Sequence, residues 1–141
     1  MLRTLLAGLI VFAIGPACAA PLLATLTVKL EKVDPRGGNV RVALYNAQNY
    51  PGDHDPVTDK VVPAVAGETI VVMDAVPPGI YAVKMFQDFN RNGEFDTNWL
   101  GLPLEKYGFS NDVHPLFSEP PFDATKFELH PGANNITIHL Q

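Results

Sequence analysis

The chain has 141 residues, 10 of them Lys or Arg and 15 Asp or Glu, for a formal net charge of −5. That length supports one domain, and the acidic balance argues against a nucleic-acid binder, which needs a basic face. Hydrophobic residues at 47% exclude a disordered chain, while 13 Pro and 11 Gly favour a turn-rich all-β build over a helix bundle.

The first twenty residues read as an address. Arg3, an apolar run from Leu5 to Ile14 and small residues at Ala17 and Ala19 make a secretory signal peptide cleaved after Ala19. The run is too short to span a bilayer, which takes about 20 residues. The expected division is a signal peptide at 1–19 and one β-sandwich domain at 20–141. Cleavage removes Cys18, the only cysteine, so the mature chain is expected to be secreted or periplasmic and free of disulfides and thiolate chemistry. Lipid attachment at Cys18 is the less favoured alternative, because Gly15 stands where a lipoprotein signal carries Leu. No second apolar run exists, so no transmembrane span is expected in the mature chain.

Past the signal the pattern has period two. Leu26, Val28 and Leu30 alternate with Thr25, Thr27, Lys29 and Glu31, a half-buried strand. Asp34-Pro35-Arg36-Gly37-Gly38 is turn chemistry, and Val40, Val42 and Leu44 form a second strand, expected to pair with the first as a hairpin. Asn46 to Asp59 reads as a loop. Val61–Val65 reads as a short edge strand, since Pro63 would spoil a central ladder. Thr69–Met73 is a β-branched strand, and Ile80–Phe86 is the longest apolar strand, expected to be central. Thr125–Leu129 and Ile136–Leu140 are expected to close the chain as a hairpin. About seven short strands at this spacing argue for an antiparallel β-sandwich. No convincing helix is seen.

The stretch Gln87–Asp123 has little periodicity but holds the site chemistry. Asp88-Phe89-Asn90-Arg91-Asn92-Gly93-Glu94-Phe95-Asp96 places oxygen side chains at relative positions 1, 3, 5 and 9 with Gly at 6, as in the first nine positions of an EF-hand-type calcium loop. Ca²⁺ takes six to eight hard oxygens at about 2.3–2.6 Å, which a tightly coiled backbone supplies by turning alternate side chains inward. Gly93 permits the sharp turn, and the carbonyl of Glu94 is the expected backbone ligand. Trp99 stands where an EF-hand has its bidentate Glu, and a strand replaces the entering helix, so a true EF-hand is excluded. Glu105 or Asp112 is the candidate to close the shell. Two other readings stay open: a Mg²⁺ site with more water, and ordinary Asx-turns that need no ion.

The stretches Val76-Pro77-Pro78-Gly79-Ile80-Tyr81-Ala82-Val83, Asp88–Asn98 and Leu100-Gly101-Leu102-Pro103-Leu104-Glu105-Lys106-Tyr107-Gly108-Phe109-Ser110-Asn111 resemble the bacterial secreted family catalogued as domain of unknown function 2141. Pro121-Phe122-Asp123-Ala124 is similar to a shortened form of that family's Pro-Ser-Phe-Glu-Asp-Ala segment. The Pro-Pro-Gly-x-Tyr turn into a strand is similar to that of prealbumin-like sandwiches, which implies a transthyretin-like Greek key by fold analogy. The family has no established activity, so the resemblance implies a fold and no task.

Trp99, Tyr107, Phe109, Phe117 and Phe122 crowd the long loop region. Trp99 and Tyr107 are candidate partner-binding residues, while Phe109 and Phe122 read as packing. Asp53-His54-Asp55 and His114 lack zinc-ligand spacing and read as solvated loop residues. Ser110 and Ser118 have no nucleophile-elbow context. The leading expectation is a non-enzymatic secreted module in which Ca²⁺ at Asp88, Asn90, Asn92, Glu94, Asp96 and Glu105 orders the aromatic loop structurally. The alternatives are a small metal-dependent envelope hydrolase, and an accessory or adhesion module that binds an envelope protein or glycan, in one form through the Val61–Val65 edge.

Overall fold

The computed structural model describes residues 22–52 and 54–141. The expected signal peptide and cleavage site, Cys18 and Asp53 lie outside the described residues. Among the described residues there are eight strands: β1 Ala24–Val33, β2 Asn39–Tyr45, β3 Thr58–Pro63, β4 Gly67–Val76, β5 Gly79–Asp88, β6 Tyr107–Phe109, β7 Phe127–Leu129 and β8 Gly132–His139. They form two sheets, β4-β1-β8 and β3-β2-β5-β6, with β7 also paired to β5. The architecture is an all-β sandwich. Its helical content among the described residues is a 3-10 turn at Ser110–Asp112 and one turn, α1, at Phe122–Thr125.

Alternation builds the core. The inward phase of β1 (Leu26, Val28, Leu30), β2 (Val40, Val42, Leu44), β4 (Val71, Met73) and β5 (Val83, Met85) is buried, joined by Leu129, Ile138 and Leu140. Two bulges keep that phase where the sequence breaks it. Lys32, at φ +60, and Ala75, at φ +58, sit at the two register shifts between β1 and β4. Each turns one residue out so that Val33 and Val76, out of step with their strands, still reach the core. Ile70 and Val72 fall on the opposite phase of β4 and stay exposed.

The topology departs from expectation in three places. First, β1 and β2 are not a hairpin: β1 pairs with β4 and β8, while β2 pairs with β3 and β5. The turn between them crosses from one sheet to the other, with Gly37 at φ +80 and Gly38 at φ +83. A Cβ at Gly38 would overlap the Asp88 carbonyl oxygen, so only glycine passes there. Second, β7 and β8 are not a hairpin either, because β7 joins β5 while β8 joins β1. The Asn134 side chain closes that crossing, donating to the carbonyls of His130 and Gly132 and accepting from the His130 N–H. Third, the sandwich is not wholly antiparallel: β1 and β8 run parallel, from Ala24 beside Gly132 to Glu31 beside His139.

β3 is the edge of its sheet, as Pro63 requires, and β5 is central, flanked by β2 and β6. β6, which the irregular 87–123 stretch conceals, adds Tyr107–Phe109 to β5. Among the described residues no helix is long and apolar enough to cross a membrane.

Candidate functional site

β5 ends inside the sandwich and delivers Asp88 to the start of the loop with no exposed surface. Its Oδ1 accepts from the Asn92 N–H at 3.1 Å and its Oδ2 from the Gly93 N–H at 2.9 Å. The loop then coils through successive Asx-turns. Asn90 Oδ1 accepts from the Asn92 N–H at 3.1 Å, and Asn92 Oδ1 accepts from the Glu94 N–H at 2.9 Å. Gly93 takes φ +84, the left-handed conformation the motif demands of its sixth position. The amides of Asn90 and Asn92 both donate to the Asp96 carboxylate, at 2.6 Å and 3.0 Å.

Glu105 ties the loop shut. It is buried, and its Oε1 accepts from the Phe89 N–H at 2.9 Å while its Oε2 accepts from the Asp96 N–H at 3.1 Å. Arg41 of β2 places a guanidinium nitrogen 3.8 Å from Asp88 Oδ2, and on the far side Arg36 lies 3.8 Å over the Phe89 ring. The Arg36 side chain, by hydrogen bonding, holds the Asp34 carboxyl below the usual carboxylate range.

The donor set is of the kind a hard cation takes. The side-chain oxygens of Asp88, Asn90 and Asn92 each accept one backbone N–H and keep a second lone pair. Asp96 adds a second carboxylate, and the Glu94 carbonyl is in sequence position to add a backbone oxygen. Among the described residues no three carboxylates or imidazoles cluster as a metal site. A cation here would therefore depend on amide and carbonyl oxygens as much as on charge. Asp112, the other residue considered for closing the shell, lies elsewhere and is bound to His139. The Glu94 side chain is exposed.

Beside the loop, the outer face of the five-stranded sheet forms the floor of a groove of about 810 Å³. Strand register sets that floor in two rungs. One reads Val61–Arg41–Phe86–Tyr107 and the next Asp59–Ala43–Lys84–Phe109. Phe95, from within the loop, packs on Phe86 with ring centroids 5.5 Å apart and on Tyr107 at 5.8 Å. The loop and the floor are thus one packed unit.

The walls are two loops. Residues 96–104 form a tight turn in which Asn98 Oδ1 accepts from the N–H groups of Leu100 and Leu102, and the Leu104 N–H donates to the Asp96 carbonyl. Opposite, residues 115–119 carry Leu116 and Phe117, which are fully or almost fully exposed. Between the walls, Lys84 lies 4.0 Å over the Tyr50 ring and pairs with Glu119 of the second wall.

The structure separates the aromatic residues that the sequence groups together. Tyr107 and Phe109 are on the groove floor, and Trp99, in the 96–104 turn, is 90% exposed and does not line the groove. Phe122 packs away from the groove against Tyr50, at 5.5 Å. Ser110 is buried, accepting from the Val83 N–H and donating to the Thr125 carbonyl. Sequence reasoning missed Phe95, Arg41, Lys84 and Glu119. The first three fall on the solvent phase of their segments or within the motif; strand register puts Arg41 and Lys84 on one face, and ring contacts with Phe86 and Tyr107 put Phe95 there.

A two-sheet sandwich with a coiled oxygen-rich loop beside an aromatic groove is the class of protein that fold and site define. The family model described as an uncharacterized protein conserved in bacteria, DUF2141, matches residues 28–137, and the chain belongs to that family. No curated protein and no solved structure matches the chain.

Proposed function

We propose that this chain is a secreted, non-catalytic binding module in which the 88–96 loop takes Ca²⁺ structurally and so holds one wall of a ligand-receiving groove. Asp88, Asn90, Asn92, Asp96 and the Glu94 carbonyl would hold the ion, with Glu105 closing the loop behind them. The observation that carries the reading is Phe95, which lies in the loop yet packs on the groove floor at Phe86 and Tyr107. Whatever orders the loop therefore also shapes the groove, and Trp99 and Tyr107 are its partner-facing residues. Secretion is supported by Arg3, the Leu5–Ile14 run and the Ala17/Ala19 pair.

Thermal unfolding in excess EDTA and then in millimolar Ca²⁺ or Mg²⁺ tests the ion. A ligand at about 100 times its dissociation constant adds roughly 2.7 kcal/mol, several degrees for a domain this size. A Ca²⁺-selective rise that is lost in Asp88→Ala supports the site. No shift with either ion removes the ion from the reading and leaves an Asx-turn scaffold beside the groove. Sequencing the N-terminus of the exported protein tests secretion, and a chain beginning at Ala20 is the expected result.

A further inference from the structure

We propose that the groove takes a long-chain aliphatic carboxylate, its head on Lys84 and Arg41 and its chain lying on the aromatic floor between the two walls. The inference rests on the reading of the groove as a binding site.

The head position is set by charge. In a chain of net charge −5, Arg41 and Lys84 stand on adjacent rungs of one sheet face. Lys84 already holds a carboxylate, that of Glu119, at its ammonium. The Lys84 side chain is 11% exposed, and its ammonium lies over the Tyr50 ring and donates to the Tyr50 carbonyl, so an incoming anion finds it oriented. Glu119 is more exposed, at 38%, and sits on a wall loop, where a ligand carboxylate can take its place. The chain's own carboxylate thus marks where the ligand's would bind.

The body is set by the lining. Leu100 and Leu102 face Leu116 and Phe117 across the floor of Phe86 and Phe109. Peptide amides and sugar hydroxyls each need a hydrogen-bond partner when buried; the groove offers Asp59, Lys60, Ser118 and Glu119 besides Arg41 and Lys84, whereas the side chains of Leu100, Leu102, Leu116 and Phe117 on its walls offer none. The floor rings meet at 59° (Phe86 and Phe95), 75° (Phe95 and Tyr107) and 72° (Tyr107 and Phe109), so they offer edges and ridges in place of a flat platform for a sugar ring. An acyl chain needs no polar partner and follows such ridges. The volume lies in the range of small-ligand sites, about 300–1,000 Å³.

The test uses protein expressed from the full-length chain and Trp99, its only tryptophan, as the reporter, next in sequence to Leu100 of the first wall. Oleate, titrated below its micelle concentration, is expected to shift Trp99 emission to the blue and to saturate. Oleyl alcohol, with the same chain and no charge, is expected to bind about tenfold more weakly or worse. Glu119→Gln removes a carboxylate that competes for Lys84, at an exposed position, and is expected to tighten oleate about fivefold. Lys84→Met is expected to weaken it about tenfold or more, and Glu119→Gln decides the matter if the Lys84 variant fails to fold. Oleate binding no tighter than oleyl alcohol, or unchanged in Glu119→Gln, overturns the proposal. Tighter binding of an apolar tripeptide with a free C-terminal carboxylate, or of phosphatidylglycerol vesicles, overturns it while preserving the groove as a site. If none of these probes moves Trp99 emission, the binding reading falls with it.

Discussion

His139 grips Asp112 twice. Its backbone N–H donates to Asp112 Oδ1 at 2.8 Å, and its ring Nδ1 lies 2.7 Å from Oδ2. The other ring nitrogen is 2.9 Å from a Glu31 carboxylate oxygen. The last strand therefore ties β1 to the root of the second groove wall, with the Gln141 amide donating to the Val113 carbonyl beside it.

That grip makes stability depend on acid. Partial burial pushes the Asp112 carboxyl up, but the His139 N–H and ring outweigh it, and the net direction is down from the ordinary carboxylate value. A carboxylate lowered in the folded state stabilises it above the unfolded value, and the contribution is lost as pH falls through the folded value. Asp112→Asn should cost about 1 kcal/mol at neutral pH, discounted for solvent screening. Urea midpoints of the two proteins should converge as pH falls below the ordinary carboxylate range. A gap that persists undiminished in acid would count against the ionised carboxylate as its source.

Gly37 and Gly38 are both in the left-handed region, yet they should respond differently to alanine. At Gly37 a methyl meets open space, so only the backbone cost of about 1–2 kcal/mol applies. At Gly38 the methyl overlaps the backbone of Asp88 and Phe89, which cannot swing away. Gly38→Ala should cost about 3 kcal/mol or more and lower soluble yield. Equal unfolding midpoints for the two variants would contradict the close approach.

Gln87 has no exposed surface and pins the sheet-crossing turn with its amide. It accepts from the Asp34 N–H at 2.9 Å and donates to the carbonyls of Asp34 and Gly37 at 2.9 and 2.8 Å. Gln87→Leu keeps the volume but strands those groups, so a loss of about 2–4 kcal/mol in chemical denaturation is expected. A near-neutral result would mean that water replaces the amide.

Glu105→Gln should open the 88–96 loop selectively. The carboxylate accepts at both oxygens, whereas a carboxamide accepts at one and turns an N–H₂ toward the other backbone donor. Limited proteolysis should cut between Phe89 and Leu104 in the variant while the strands stay protected. Cleavage no faster than in the parent protein would show that the loop holds itself.

How far the sequence reaches depends on whether the information is contiguous. The oxygen-rich loop is legible because Asp88 through Asp96 is one motif, and the Asx-turns follow from those residues alone. β1, β2, β4 and β5 are legible because alternation is local. Gln87 opens the stretch of little periodicity in the sequence, though it continues the inward phase of Tyr81, Val83 and Met85. Strand pairing was not legible. That Arg41 faces Phe86, and Lys84 faces Phe109, depends on register between strands far apart in the chain. The two hairpin expectations failed for the same reason, since Gly37–Gly38 marks a turn without saying into which sheet it leads.

The parallel pairing of β1 with β8 bears on how the protein comes to be folded. β1 is the middle strand of its sheet, and one of its two neighbours is the last strand of the chain. The partners of Ala24 through Glu31 lie at Gly132 through His139, so that edge of β1 cannot be satisfied until nearly the whole polypeptide is available. Contacts so distant in sequence bear a large chain-entropy cost before they return any stability, and they slow folding. A growing chain therefore holds an unpaired edge on β1 until Gly132–His139 has been made. Loss of the final strand should unravel the start of the domain as surely as its end.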